Sequence, residues 1–285
     1  MHPNDDVLLD VTGLDVDIMT VGGSHRVVHG LDLTLRRGRT LGVVGESGSG
    51  KSMTATAVAG ILPDAAVASG SVLYQGRDLL ALTARERRRL AGPEIGFVFQ
   101  EPMSALHPTM TIGRQMAAPL RLHLGLTRRL ARERSAELLD LVGIPPSRGV
   151  LDAYVHQLSG GMRQRVMIAM SISCEPSLLI ADEPTTALDA TVQKQILDLL
   201  ARLRGELGLS MILISHDLGL VAEHTDDVTV MLDGHVMESG PTGRVVSSPE
   251  SGYTQGLLEA SPRLGRSPRR LPVIDKSRFT KAVPR

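Results

Sequence analysis

The segment Gly45-Glu46-Ser47-Gly48-Ser49-Gly50-Lys51-Ser52 places three glycines, a lysine and a hydroxyl at the spacing of a phosphate-binding loop. Its glycines let the backbone wrap phosphate oxygens with N–H groups turned inward, and a following helix adds the positive end of its dipole. Lys51 supplies a mobile cation for the β- and γ-phosphates, and Ser52 supplies a hydroxyl for Mg²⁺. A second feature lies downstream. Leu178-Leu179-Ile180-Ala181 is an apolar run that ends in two carboxylates, Asp182 and Glu183. At the carboxyl end of a buried strand, Asp182 is suited to hold Mg²⁺, directly or through water. Glu183 is suited to polarise an attacking water as a general base. Plainer readings are a Gly/Ser-rich loop with a solvated lysine, and two acids that merely end a strand. The complete loop motif between a strand and a helix weighs against the first. The position of the acids between Ser159-Gly160-Gly161 and Ala187-Leu188-Asp189 weighs against the second.

These residues need strands and helices to hold them. Val7–Val11 and Leu14–Ile18 alternate as short strands, Val21–Ser24 reads as a turn, and Leu31–Leu35 alternates again. Leu41–Val44 is a short apolar strand leading into the loop, and Lys51–Ile61 has helical composition. Further strands are expected at 71–74 and 95–99, with a solvated basic helix at 83–90 between them. From 110 to 173 the pattern turns helical, with a break at Pro145-Pro146 and a second helix from about Ser159 to Ser173. Strands return at 178–182, 211–215 and 228–232, with a helix at 191–207. That alternation predicts a parallel sheet with crossover helices, interrupted by an inserted helical block. Residues 264–270 read as a linker or extended tail.

Composition sets bounds. The 285 residues carry 31 basic and 31 acidic side chains, so no global charge attracts nucleic acid or anionic lipid. Cys174 is the single cysteine, which rules out an intrachain disulfide and a cysteine-based metal cluster. Its apolar neighbourhood reads as a buried helix end. The acidic start, Met1–Asp6, lacks a signal-peptide pattern, and no apolar run reaches the ~18–20 residues of a membrane helix. Aromatic residues make up 2% of the chain, so Ala, Leu, Val and Met fill the core.

The phosphate loop, Leu158-Ser159-Gly160-Gly161-Met162 and the Asp182-Glu183 strand end, in this order, resemble the ATP-binding subunit of an ABC transporter over about residues 7–260. The resemblance implies an α/β P-loop NTPase core with a parallel sheet, antiparallel β elements and an inserted helical subdomain. It places the ATPase domain at 1–240, the helical subdomain at about 110–173, and a partly flexible extension at 241–285. It also implies ATP and Mg²⁺ as ligands. Gln100, in Phe97-Val98-Phe99-Gln100-Glu101-Pro102, matches the glutamine loop that senses Mg²⁺ and the attacking water and faces the membrane subunits. Ser159, Gly160 and Gly161 match the signature loop that closes over the ATP of a second subunit. Asp189 matches the loop that crosses the dimer interface, and His216 matches the switch histidine at the γ-phosphate.

Within the family, Phe99–Pro108, Gly161–Met170, Tyr253–Leu258 and Arg270–Ile274 resemble ATPases of peptide and nickel importers. That likeness implies a second, homologous but different ATPase subunit, two membrane permeases and an external binding protein, at the cytoplasmic face of the membrane. It implies no nucleic-acid partner. Di- or oligopeptides are the first cargo choice, and nickel or a nickel chelate the second. Two departures stand out. Ile18 replaces a frequent adenine-stacking aromatic, and neighbouring Met19 does not restore it, so modest base discrimination is expected. The C-terminal cysteine cluster of some peptide-importer relatives is absent. Rival readings are a soluble ABC protein of translation or DNA repair and a non-ABC P-loop kinase. The first lacks its usual second cassette or coiled-coil insertion here, and the second leaves Ser159–Gly161 and His216 unexplained.

Overall fold

The computed structural model describes residues 6–145 and 149–260. In chain order its elements begin with β1 (Val7–Thr20), β2 (Gly23–Arg36), β3 (Thr40–Val44), α1 (Lys51–Ala59), β4 (Ala66–Tyr74), β5 (Arg77–Asp78) and α2 (Ala84–Leu90). Then come β6 (Ile95–Val98), α3 (Pro102–Ala105), α4 (Ile112–Leu124), α5 (Arg128–Leu141), α6 (Gly160–Ser171), β7 (Leu178–Asp182) and α7 (Ala190–Leu207). The chain continues through β8 (Ser210–Ser215), α8 (Leu218–Ala222), β9 (Asp227–Leu232), β10 (His235–Pro241), α9 (Thr242–Ser247) and α10 (Gly252–Ala260). The described residues form two compact units, one drawn from residues 6–87 and 210–260, the other from residues 88–145 and 149–209.

In the first unit, β2-β1-β4-β5 form an antiparallel sheet. The two short strands expected over residues 7–18 are one strand. Its register shifts between Val11 and Leu14, and Gly13 takes a left-handed φ of 58°. Leu9, Val11, Leu14 and Val16 are all buried. The bulge inserts an extra residue, so the apolar face stays inward although the alternation slips. The turn before β2 is likewise shorter than expected, since pairing resumes at Thr20–Gly23.

The same unit holds a second set of strands in the order β10-β9-β3-β8. β3 runs parallel to both β8 and β9, and Val44 stands level with Ser215 and Val230. Every residue of β3 and β8 is buried. Strands covered on both faces read as continuous apolar runs, which is why these were legible without alternation. β9 and β10 form a hairpin through Asp233-Gly234. α9 and α10, which the sequence pattern did not announce, pack on this hairpin and on α8 through buried Val245, Tyr253 and Leu257.

In the second unit β6 and β7 pair in parallel, with Ile95 level with Leu178 and Val98 with Ala181. α4, α5 and α6 pack against one another. Thr127 caps α5 by accepting from Leu130 N at 3.3 Å, and Gly125 ends α4 in a left-handed conformation. Cys174 is buried, and burial pushes its thiol above the usual range, which fits an inert core residue. The basic helix α2 has no buried residue. No described helix is long and apolar enough to cross a membrane. Residues 264–274, read above as tail and subgroup cue, lie outside the described residues.

Candidate active site

The phosphate loop follows β3 directly and ends at the start of α1, in the first unit. Gly50 closes it in a left-handed conformation with φ 95°. A Cβ there would stand 2.7 Å from the Val27 carbonyl, so both the backbone angle and the space require glycine. Ser49 N donates to Glu46 O at 3.2 Å, and Gly234 N donates to Ser49 O at 3.1 Å. The β9–β10 hairpin therefore braces the loop. Lys51 is buried, and its Nζ donates to the carbonyls of Gly45 and Glu46, each at 2.8 Å. The ammonium is thus held over the loop it belongs to. Ser49 Oγ is buried without a hydrogen-bond partner, a cost of about 1–3 kcal/mol. Glu46 is half-buried, while Ser47 and Gly48 are exposed at the loop's tip.

His216 follows β8 immediately. Because Ser215 stands level with Val44, His216 leaves its strand at the height where the chain enters the phosphate loop. It is exposed, and Asp217 next to it caps α8 by accepting from Leu220 N at 3.0 Å. Sites at the carboxyl ends of parallel strands follow the general rule for open α/β sheets. Ile18 lies at the far end of β1, opposite His25, and Met19 is 53% exposed.

In the second unit, β6 and β7 end together and deliver Gln100 and the two acids. Asp182 is the last residue of β7 and is buried. Glu183 adopts φ 44°, an uncommon angle for a residue with a side chain, held at a cost of order 1–3 kcal/mol. Its Oε2 accepts from Gln100 Nε2 at 3.2 Å and from Thr186 Oγ1 at 2.8 Å. Gln100 and Glu183, eighty-three positions apart in the chain, therefore meet. Thr186 was not singled out from the sequence. Its only signal is a hydroxyl three residues beyond an acid, which is common in turns.

Ser159 caps α6, with Oγ accepting from Met162 N at 3.3 Å. Asp189 caps α7 by accepting from Thr191 N and Val192 N, each at 3.1 Å. A Cβ on Gly161 would stand 3.0 Å from Val192, and one on Gly160 would stand 3.4 Å from Leu188. The Ser-Gly-Gly helix start thus packs against the Asp189 cap. Ser159 and Gly160 at this helix start are exposed.

Among the described residues no cluster of three or more His, Cys, Asp or Glu could hold a metal ion. The hydroxyl of Ser52 and the carboxylate of Asp182 are hard oxygen donors that suit Mg²⁺, which takes further ligands from substrate phosphates.

Comparison with known proteins gives a consistent answer. The ABC transporter family model matches residues 28–186. A Brucella abortus protein, provisionally named a peptide import ATP-binding protein, is 50% identical over 271 residues, covering 95% of this chain and 82% of its own. A similarly named protein of Brucella melitensis is 47% identical over 265 residues, covering 90% and 78%. Among solved structures, cbiO1 from Clostridium perfringens, part of the ABC transporter complex cbiONQ, has a TM-score of 0.72 at 29% identity, covering 86% of this chain and 93% of that one. A dimeric ATP-binding cassette bound to ADP and Pi shares the fold, with a TM-score of 0.73 at 24% identity, covering 82% and 98%. The fold is thus the α/β P-loop NTPase fold, and the chain belongs to the ABC transporter family as an ABC-type ATP hydrolase.

Proposed function

We propose that this chain powers the import of di- or oligopeptides through separate membrane subunits. The observation that carries this reading is the 50% identity, over 95% of the chain, to a protein provisionally named for peptide import. In this reading Gly45, Glu46, Ser47, Gly48, Ser49 and Gly50 cradle the ATP phosphates, and Lys51 moves from the loop carbonyls to the β- and γ-phosphates. Ser52 and Asp182 hold Mg²⁺, with Gln100 sensing it. When bound, that ion neutralises charge developing on the phosphate oxygens. Glu183 accepts the proton of the attacking water, with Gln100 and Thr186 fixing its carboxylate. His216 contacts the γ-phosphate. Ser159, Gly160 and Gly161 serve the ATP of a homologous partner ATPase, and the pair works at the cytoplasmic face with two permeases and an external binding protein.

The cargo test is the assembled transporter in proteoliposomes. Binding protein loaded with peptide should stimulate ATP hydrolysis. Stimulation by a nickel chelate but not by peptide would overturn the cargo assignment. The shared site has its own test in mixed dimers with one site already silenced. Ser159→Arg should disable the site built on the partner's phosphate loop, by crowding it and displacing the α6 start. Lys51→Ala should disable the opposite site. Loss of the same site by both variants would overturn the sharing.

A further inference from the structure

We propose that Tyr253 of α10 is a positioning residue for the phosphate loop, its buried hydroxyl accepting the Glu46 N–H and fixing the loop's entry turn. The inference rests on the reading of Gly45–Ser52 as the loop that takes the ATP phosphates.

Tyr253 is fully buried, and its hydroxyl oxygen lies 3.4 Å from Glu46 N. The carbonyl of the same residue, Glu46, accepts Lys51 Nζ at 2.8 Å. Tyrosine and lysine thus act on one residue at the loop's entrance, the first on its amide and the second on its carbonyl. The neighbouring carbonyl of Gly45 is the lysine's other acceptor. A shift of the Glu46 backbone would move both.

A neutral acceptor suits this place. Burial pushes the tyrosine hydroxyl up to about 12, against the lowering effect of the Glu46 amide, so it stays uncharged at any working pH. A phenolate beside the loop would repel phosphate. A phenylalanine would fill the same volume and leave the Glu46 amide short of its acceptor.

The helix carrying Tyr253 is itself indexed to the fold. Glu238 on β10 is buried, and each carboxylate oxygen takes one amide ahead of α10. Oε1 accepts from Glu250 N at 3.0 Å, and Oε2 accepts from Ser251 N at 3.1 Å. Ser251 Oγ accepts from Tyr253 N at 3.2 Å. The Glu250 and Ser251 amides help hold the Glu238 carboxyl below its usual range although burial pushes it up. A continuous set of contacts therefore runs from Glu238 through Ser251 and Tyr253 to Glu46 and Lys51. The segment after β10 thereby becomes part of the nucleotide site, although it carries no phosphate-binding motif.

The test uses the full chain, titrated with a fluorescent ATP analogue, and the assembled transporter for ATPase kinetics. Tyr253→Phe should weaken nucleotide binding about three- to tenfold, the effect of one neutral hydrogen bond. KM for ATP should rise by the same factor with kcat within about twofold, because the loop holds ground state and transition state alike. A purely structural hydroxyl would lower the melting temperature and leave the affinity unchanged, and that result would overturn the inference. Glu238→Gln should weaken binding in the same direction, and its effect should not add to that of Tyr253→Phe. Additive losses would break the proposed linkage. Should Tyr253→Phe fail to fold, amide exchange at Glu46 in Glu238→Gln carries the test: faster exchange is expected, and an unchanged rate would overturn it. Lys51→Ala separates the two readings. If Lys51→Ala keeps full affinity, the phosphate-loop assignment itself fails. If it loses affinity while Tyr253→Phe does not, only the role of Tyr253 fails.

Discussion

Glu183→Gln should slow ATP hydrolysis by about 10²–10⁴-fold, a barrier increase of about 2.7–5.4 kcal/mol, while sparing ATP binding. Glu183 Oε2 accepts from Gln100 Nε2 at 3.2 Å and from Thr186 Oγ1 at 2.8 Å. A glutamine with its carbonyl oxygen at that place keeps both hydrogen bonds and almost the same shape. What it loses is the ability to take a proton. Thr186→Val makes the complementary change: it keeps the base and removes one charge-assisted hydrogen bond, about 1.5–3 kcal/mol at most. If all of that fell on the transition state, the loss would be about 10- to 150-fold. Single-turnover hydrolysis of radiolabelled ATP in the assembled transporter measures chemistry apart from product release, and nucleotide titration measures affinity. Turnover by Glu183→Gln within about threefold of the parent would show that another group activates water. A loss in Thr186→Val equal to that in Glu183→Gln would shift the weight from proton acceptance to placement of the carboxylate.

Two further outcomes follow from the structure. Gly45→Ala puts a Cβ against the Met231 carbonyl and 2.6 Å from Ser49 Oγ; the overpacking should cost about 1–3 kcal/mol of stability and displace the loop. Unchanged melting and nucleotide affinity in that variant would contradict the close approach. His235 has its pKa lowered, chiefly by burial and then by the charge of His29, whose ring stacks on it at 4.2 Å, with Asp233 opposing. The unfolded chain binds that proton more readily than the folded one, so stability is full above about pH 6.5 and falls as pH drops through the lowered value. Melting curves at pH 7.5, 6.5 and 5.5 should show a smaller acid loss in His235→Gln, and identical slopes would refute the assignment.

The sequence made the strands around the site easy to find for a physical reason. β3, β7 and β8 are buried throughout, and each stops where an apolar run meets a polar or glycine residue. Gly45, Asp182 with Glu183, and His216 stand at those stops. The helix starts were legible for the same local reason, since Ser159 and Asp189 are side-chain caps. Two short strands in place of the long β1 were misread because the bulge at Gly13 breaks the alternation while leaving Leu14 buried. The family resemblance gave Gln100 a role at Mg²⁺ and the attacking water but named no contact with Glu183. Nothing local in the chain announces a pairing across eighty-three positions, which depends on β6 and β7 ending side by side.

Tyr253 shows the limit most clearly. Tyr253 is buried on α10, and Leu257 one turn later shares the burial. Burial alone treats the ring as core and cannot register the hydroxyl. Yet a fully buried phenol needs a polar partner, because leaving it without one costs free energy that a phenylalanine at the same position avoids. The sparse aromatic content sharpens the point, since only three tyrosines occur in the chain. A buried tyrosine in such a chain is therefore a question about where its hydroxyl goes. Here it goes to the amide of Glu46, at the mouth of the loop that the glycines and Lys51 had already marked. The extension after β10 is tied by that atom to the chemistry of the phosphate loop, and a one-atom substitution, Tyr253→Phe, decides whether the tie matters to ATP.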